Sequence, residues 1–388
     1  MNLRDVRLAR AYLSRVAEPH AGALSTLVAE VGPLEAAALV RAGDVSPSVA
    51  SQTSARRAQE QAEDDLQRVK AKGGRLVIPE DDEWPRWPFV SLGVAASHRR
   101  CGGEPLALWV RGDHRLTDLA ERAVAVVGSR DSSGYGQHVA TELAHGLAAA
   151  GVVVVSGAAY GIDGAAHRGA LSAGGTTVAV LACGVDVAYP AGHQGLLAKI
   201  AQAGVVVSEY PPGVQPARHR FLTRNRLIAA FGAGTVVVEA ARRSGAKNTA
   251  ATTLALGRVL MAVPGPVTSL SSTGCNELLR SGDAVPVSNV AEVVESIGRF
   301  GDDLVEPTTR TTHDLGPPQG EAMRVYEALG LRDGFSPEAI SVESGVELPR
   351  VRALLPELEL AGLAQREDSG WRRLSPPQPQ SQPQSQPA

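Results

Sequence analysis

Ala123-Val124-Ala125-Val126-Val127-Gly128-Ser129-Arg130-Asp131-Ser132-Ser133-Gly134-Tyr135-Gly136 is an unbroken apolar run that ends in a glycine-rich turn. Five consecutive small or β-branched residues leave no polar face, so a strand built from them is covered on both sides. The same pattern recurs at 152–155, 177–181, 205–207, 235–238, 259–263 and 284–287, mostly with Ala/Leu-rich stretches between, long enough for crossover helices. Strands alternating with helices predict an α/β fold with a mostly parallel sheet over residues 121–300. Ligands of such sheets bind beyond the carboxyl ends of the strands, so the residues after each run are the candidates for function.

Outward from this block the chain changes character. Residues 1–75 read as a small helical domain of the helix-hairpin-helix or SAM-like sort. Leu24, Leu27, Val28 and Val31 follow helical spacing, and Gly32-Pro33 interrupts before a second Ala/Leu helix at 34–41. A plain structural bundle fits the same pattern. Residues 76–120, with Trp84-Pro85-Arg86-Trp87-Pro88, read as an extended connector packing on the sheet domain. Residues 301–320 are poor in apolar side chains and hold Asp302, Asp303, Pro307 and Pro317-Pro318, the composition of a linker. Residues 321–374 suggest three helices, at 321–329, 336–344 and 348–361, then a polar hairpin through Asp368-Ser369-Gly370-Trp371, the order of a winged helix. Its ten acids against seven arginines, with Glu357 and Glu359 on the third helix, favour protein contact over tight duplex binding. Residues 375–388 contain only Ser, Pro, Gln and Ala and are expected as a disordered tail.

The 388 residues suggest two or three domains, and 44% hydrophobic with 20% charged residues is ordinary for a soluble globular protein. No apolar run reaches the roughly 18 residues a membrane helix needs. Met1-Asn2-Leu3-Arg4-Asp5 lacks a signal peptide's apolar core, so the expectation is a cytoplasmic protein with no membrane partner. Cys101, Cys183 and Cys275 stand too far apart for a disulfide framework or a zinc cluster. Net charge −3 and 4% aromatics argue, as averages, against a strongly basic nucleic-acid binder. The averages hide a local excess. Segment 122–300 is net +4, and between 218 and 247 seven cations (Arg218, Arg220, Arg224, Arg226, Arg242, Arg243, Lys247) accompany one acid, Glu239. With so few acids nearby, anion binding is a better account than a salt-bridged helix face.

The loops supply groups for an anion to meet. Gly128-Ser129-Arg130 leads to a helix whose N-terminus favours negative charge, and its glycine lets backbone N–H groups approach a phosphate. The spacing departs from G-x-G-x-x-G, and the second strand ends in Ser156-Gly157 where a dinucleotide enzyme places an acid for the ribose. NAD is therefore not expected, and no Walker A sequence occurs. In Ser156-Gly157-Ala158-Ala159-Tyr160-Gly161-Ile162-Asp163-Gly164-Ala165-Ala166-His167, Asp163 is placed to cap a helix and His167 lies one turn on. A cap with a helix-surface His is the simpler reading, an acid–base pair the alternative. Phe221 is either a stacking platform for a base or a packing residue of the core or a subunit interface, and Tyr160 stands in the other loop. Ser244-Gly245 opens a further helix, with Lys247 beside it. Cys183 and Cys275 lack a His partner, and no nucleophile, base or metal cluster emerges. The reading is binding without turnover and without a cofactor. Gly128, Ser129, Ser156 and Gly157 are the candidate N–H and hydroxyl donors to phosphates, and the cations of 218–247 the candidate source of attraction.

Taken together, five pieces resemble the DNA-processing protein A family (DprA, also called Smf). They are Val126-Val127-Gly128-Ser129-Arg130, the 156–167 stretch, Phe221-Leu222-Thr223-Arg224-Asn225-Arg226-Leu227-Ile228-Ala229, Glu239-Ala240 with Ser244-Gly245, and Ala262-Val263-Pro264-Gly265. One departure is Ala246-Lys247-Asn248-Thr249-Ala250, where the family often continues Ser-Leu-Ile/Val-Thr-Ala. The resemblance implies an extended Rossmann-like domain that binds single-stranded DNA in a positive pocket. It also implies a homodimer that loads RecA recombinase on DNA taken up in natural transformation. Arg130 and Arg218 would then contact the strand, with Phe221 adjacent and Arg224 and Arg226 secondary; Lys247 is grouped with these DNA-binding candidates. The rival is a nucleotide or nucleoside-phosphate hydrolase on the same kind of sheet, whose usual Pro-Gly-Gly-x-Gly-Thr phosphate loop is absent here.

Overall fold

The computed structural model describes residues 2–95, 102–242, 244–298, 320–331, 334–360, 363–367 and 370–374. Four helices lead: α1 Leu3–Val16, α2 Gly22–Ala42, α3 Pro47–Thr53 and α4 Ala62–Ala71. Then come β1 Gly74–Val77, α5 Arg86–Val94, β2 Leu108–Arg111 and α6 Leu116–Glu121. The alternating block opens with β3 Ala123–Val127, α7 Gly134–Ala149, β4 Val153–Ser156, α8 Ile162–Ser172, β5 Thr177–Val180, α9 Gln194–Ala203 and β6 Val205–Ser208. It continues with α10 Arg218–Phe231, β7 Gly234–Val237, α11 Gly245–Ala255, β8 Val259–Ala262, α12 Thr273–Arg280, β9 Val285–Pro286 and α13 Val290–Ile297. All seven strands expected from the apolar runs are present.

Nine strands form one sheet in the order β1-β2-β6-β5-β4-β3-β7-β8-β9. Neighbours from β6 to β9 are parallel, while β2 joins β6, and β1 joins β2, antiparallel. The central strand shows why apolar runs were needed. Ala123, Ala125 and Val127 pack with Phe89, Leu227, Phe231 and Ala250 on one face, and Val124 and Val126 with Leu143, Leu147 and Ile162 on the other. From β3 the chain winds outward through β4, β5 and β6, then returns to the opposite side of β3 as β7. This reversal sets the carboxyl ends of β3 and β7 side by side, the usual place for a ligand crevice.

The leading helices are not separate from the sheet. Tyr12, Leu13, Leu24 and Val40 share a core with Leu76, Trp109, Ala179, Leu181 and Val206, and one unit spans Met1–Leu304. Residues 1–75 and the stretch read as a connector thus contribute β1, β2 and a helical cover to one body. Trp84-Pro85 leads directly into α5 instead of an extended segment, since Pro88 in the first helical turn has no intrahelical N–H bond to lose. Helix α2 is long and apolar enough by composition to cross a membrane, but Gly32, at φ 82°, breaks it just before Pro33. That break is the one the Gly-Pro pair announced.

The second unit, Val305–Ala388, holds α14 Glu321–Glu327, α15 Pro337–Ser344, α16 Leu348–Leu360, β10 Ala364–Glu367 and β11 Gly370–Arg373. Val325, Ile340, Val351, Leu354, Leu358 and Trp371 form its core, and β10 pairs antiparallel with β11. Three helices and a hairpin make a winged helix. The tail at 375–388 lies outside the described residues, as does all of the expected linker except Gly320.

Candidate nucleic-acid interface

The turn after β3 is locked before any ligand arrives. Ser129 donates its N–H to the Glu239 carbonyl at 2.8 Å and accepts the Ile162 N–H at 3.1 Å. A Cβ on Gly128 would come within 2.9 Å of Ile162 and the Glu239 carbonyl, so only glycine fits this approach. The Ser129 hydroxyl bonds the Asp131 carbonyl at 2.9 Å. Arg130 emerges from this turn exposed, with its guanidinium over the Phe221 ring at 4.6 Å. Phe221 in turn lies 5.4 Å from the Tyr189 ring, and Tyr160 packs edge-on against His193 at 4.8 Å.

These side chains line one pocket beyond the ends of β4 and β5, walled by Arg130, Tyr160, Tyr189 and Phe221 over Gly157 and Cys183. Tyr160 is 52% and Tyr189 39% exposed, so two aromatic faces remain open to a ligand. Arg218, the first residue of α10, is exposed and has no side-chain partner among the described residues. Phe221 follows three positions later, the spacing that puts both on one helix face. An exposed guanidinium on an aromatic ring, with further rings and a second cation beside it, suits a flexible anion that carries flat bases. Tyr189 was missed in the sequence; its only signal was its place in the loop after β5.

The other expected site residues are engaged elsewhere. Ser156 is fully buried, and its hydroxyl donates to the Val126 carbonyl at 2.6 Å, which ties β4 to β3. The Gly157 N–H bonds the Asp163 carboxylate at 3.1 Å, and its carbonyl accepts from Arg224 at 2.8 Å. Arg224, 3% exposed, donates also to the Val180 carbonyl; burial pulls its pKa down to about 10. It clamps the ends of β4 and β5 from beneath. Arg226 forms a buried ion pair with Glu209 at 2.5 Å, and Lys247 bonds Glu277 at 2.8 Å.

Acids are scarce around residues 218–247 in sequence but not in space. Acids absent from the 218–247 stretch reach it from elsewhere in the fold: Glu18 pairs with Arg220 at 2.5 Å, and Glu277 holds Arg242 as well as Lys247. Arg243 lies outside the described residues. Among the described residues Arg130 and Arg218 are exposed without an acidic partner, and Glu277, shared by Arg242 and Lys247, offsets only one of those two cations.

Asp163 and His167 do not form a pair. Asp163 accepts backbone N–H groups of the preceding loop, and burial raises its pKa. His167 is a core residue, not a surface one. It bonds Thr177 at 2.8 Å, and burial drives its pKa down to about 3. The Cys183 and Cys275 thiols are pushed up by burial to about 11 and about 12. Among the described residues no three His, Cys, Asp or Glu side chains gather as a metal site.

Known proteins share this architecture and its sequence. A family model described as DNA recombination-mediator protein A matches residues 75–298, from the second residue of β1 to the end of α13, and one for the DprA winged helix domain matches 307–370. A Mycobacterium tuberculosis chain named DNA processing protein DprA is 53% identical over 94% of this chain and 93% of its own length. Protein Smf of Escherichia coli is 37% identical over 70% of this chain and 72% of its own. The X-ray structure of DNA processing protein A from Streptococcus pneumoniae superposes with a TM-score of 0.62 at 29% identity, covering 77% of this chain and all of that one. The chain belongs to the DNA recombination-mediator protein A family.

Proposed function

We propose that the protein binds single-stranded DNA in the pocket formed by Arg130, Tyr160, Tyr189 and Phe221, with Arg218 at its edge. The observation that carries this reading is the Arg130–Phe221 stack beside two open tyrosine faces. Bases stack on aromatic rings without regard to sequence, and the two arginines attract the phosphates between them. Holding a strand without cutting it is what a recombination mediator requires, so the bound strand is handed to RecA recombinase, on DNA taken up in natural transformation. The mediator works as a cytoplasmic homodimer. Its winged helix serves protein contact: on α16, Arg350 pairs with Glu321 at 3.1 Å and Arg352 with Glu338 at 2.7 Å, which leaves little free positive charge for a duplex.

Nucleoside-phosphate hydrolysis finds less support, because the helix terminus that would seat a mononucleotide phosphate already holds the Glu239 carboxylate. Combining Arg130→Ala with Arg218→Glu tests the site. Labelled oligo-dT should no longer bind at moderate salt while the thermal unfolding midpoint stays near that of the parent. Undiminished binding across a salt titration would remove these residues from the interface.

A further inference from the structure

Glu239 is 1% exposed, yet its carboxylate lies at the N-terminus of the sixteen-residue helix α7, at the point where the sheet reverses direction. One oxygen accepts the Ser133 N–H at 2.9 Å. The other accepts the Ser133 hydroxyl at 2.5 Å and the Ser271 hydroxyl at 3.2 Å. Ser133 is the N-cap of α7, its hydroxyl accepting the Gly136 N–H at 3.1 Å. A Cβ at Gly136 would fall on this carboxylate, so the glycine of the turn makes room for Glu239 rather than for a ligand. The Glu239 carbonyl meanwhile receives the Ser129 N–H. One residue thus grips the turn at both ends, with Arg130 between its two attachments.

In a parallel α/β sheet this seat is where a helix N-terminus and a glycine turn would hold a ligand's phosphate. We infer that Glu239 is a built-in anion occupying that seat, and that it is the positioning residue that aims Arg130 at Phe221 and hence at the strand. The carboxylate supplies the acceptors and the negative charge that the helix terminus requires, so the turn is ordered without a nucleotide. The crevice beside it stays free for a polymer. The role in strand binding rests on the proposed function, but the occupied seat does not.

Glu239→Ala removes little more than the atoms of an acetate ion, so a small carboxylate added to solution can refill the seat. Three measurements on the full chain test this: affinity for labelled oligo-dT by fluorescence anisotropy, its recovery with sodium formate against sodium chloride at equal ionic strength, and the unfolding midpoint in both salts. Loss of the charged hydrogen bonds is expected to weaken oligo-dT binding on the order of tenfold. Formate should restore most of that affinity and raise the midpoint of the variant but not of the parent; chloride should do neither. Glu239→Gln keeps the volume and safeguards the test against misfolding; it should lose affinity several-fold. Parental affinity in both variants would overturn the proposal, as would a loss in Glu239→Ala that formate leaves unchanged in both affinity and midpoint. If the parent ignores oligo-dT while formate still stabilises Glu239→Ala, the strand-binding reading falls and the built-in anion stands.

Discussion

Arg130 and Phe221 touch each other, but they should contribute to strand binding in physically different ways, and this makes them separable. Without DNA, the guanidinium 4.6 Å above the ring is an exposed cation–π contact, worth about 0.5–1 kcal/mol of stability. Arg130→Ala should therefore remain folded, its unfolding midpoint lower by no more than a few degrees. On binding, one arginine neutralises about one phosphate, and each such contact on a single strand adds roughly 0.7 to the slope of log affinity against log salt. Arg130→Ala should flatten the slope by about that amount. Phe221 carries no charge. Phe221→Leu keeps apolar volume but removes the π face and should cost about 1–3 kcal/mol of stacking, a loss that is the same at every salt concentration. In the double variant the two binding losses should be close to additive, because the cation–π contact is already present without DNA and largely cancels between the free and bound protein. Fluorescence anisotropy with labelled oligo-dT at four or more salt concentrations measures all three quantities. If Phe221→Leu flattens the slope as Arg130→Ala does, or binds as tightly as the parent, Phe221 is a packing residue and the stacking argument is wrong.

Arg226→Ala should strand Glu209 in the interior without a partner and cost about 3–5 kcal/mol of stability, read as a drop in the denaturant midpoint; Arg226→Met combined with Glu209→Leu should recover most of it. If Arg226→Ala instead leaves stability intact and flattens the salt slope for oligo-dT, Arg226 faces the strand after all. Acid should destabilise the protein through His167, whose pKa burial lowers from 6.5 to about 3. Between those values the unfolded chain takes up a proton there that the folded chain does not, so stability present above pH 6.5 declines as pH falls, by about 1.4 kcal/mol per pH unit per site. His20, lowered to about 4, acts in the same direction, while Asp163 and Glu209, whose pKa values burial raises, act in the opposite one. His167→Gln can keep the bond to Thr177 and should make the decline between pH 6.5 and about 5 shallower by about one site's share; an unchanged pH profile would show that His167 does not stay neutral in the fold.

Strands β3 to β8 were legible because they are buried on both faces and so must be written as apolar runs; the exposed edge strand β9 was legible only through the buried Ala284 and Val287 that flank it. β1 and β2 were not, for the complementary reason. Gly74-Arg75-Leu76-Val77 and Leu108-Trp109-Val110-Arg111 are only four residues each, and each carries an arginine. Their partners are set by antiparallel pairing across the fold, β2 with β6, which no local pattern encodes. The pocket was half legible. Phe221 stood out beside the cationic run after β6, and Arg130 and Arg218 through the family resemblance, whereas Tyr189 was one aromatic in a loop with no motif around it. Arg224 looked like a ligand contact because a guanidinium is a good anion receptor. Its actual partners are the carbonyls at the ends of β4 and β5, and backbone acceptors leave no trace in a sequence.

Local charge was the least reliable guide. A run of seven cations with one acid predicts a strongly basic surface only if the acids nearest in sequence are the acids nearest in space. Here Glu18 reaches Arg220 across 202 positions, Glu277 reaches Lys247 across 30, and Glu209 reaches Arg226 across 17. Each of these pairs removes a cation from the field that a strand would meet. Binding by the full run would have given a salt slope of roughly −5 at about 0.7 per phosphate; two arginines give roughly −1.4. On the proposed site so shallow a slope would leave counterion release a minor share of the affinity. The remainder there would come from stacking on Phe221, Tyr189 and Tyr160, because the N–H groups of Ser129, Ser133 and Gly157 are already engaged inside the fold. Such a site would prefer strands whose bases are free to turn outward over duplexes whose bases are paired, a preference that would follow from the aromatic rings rather than from the charge.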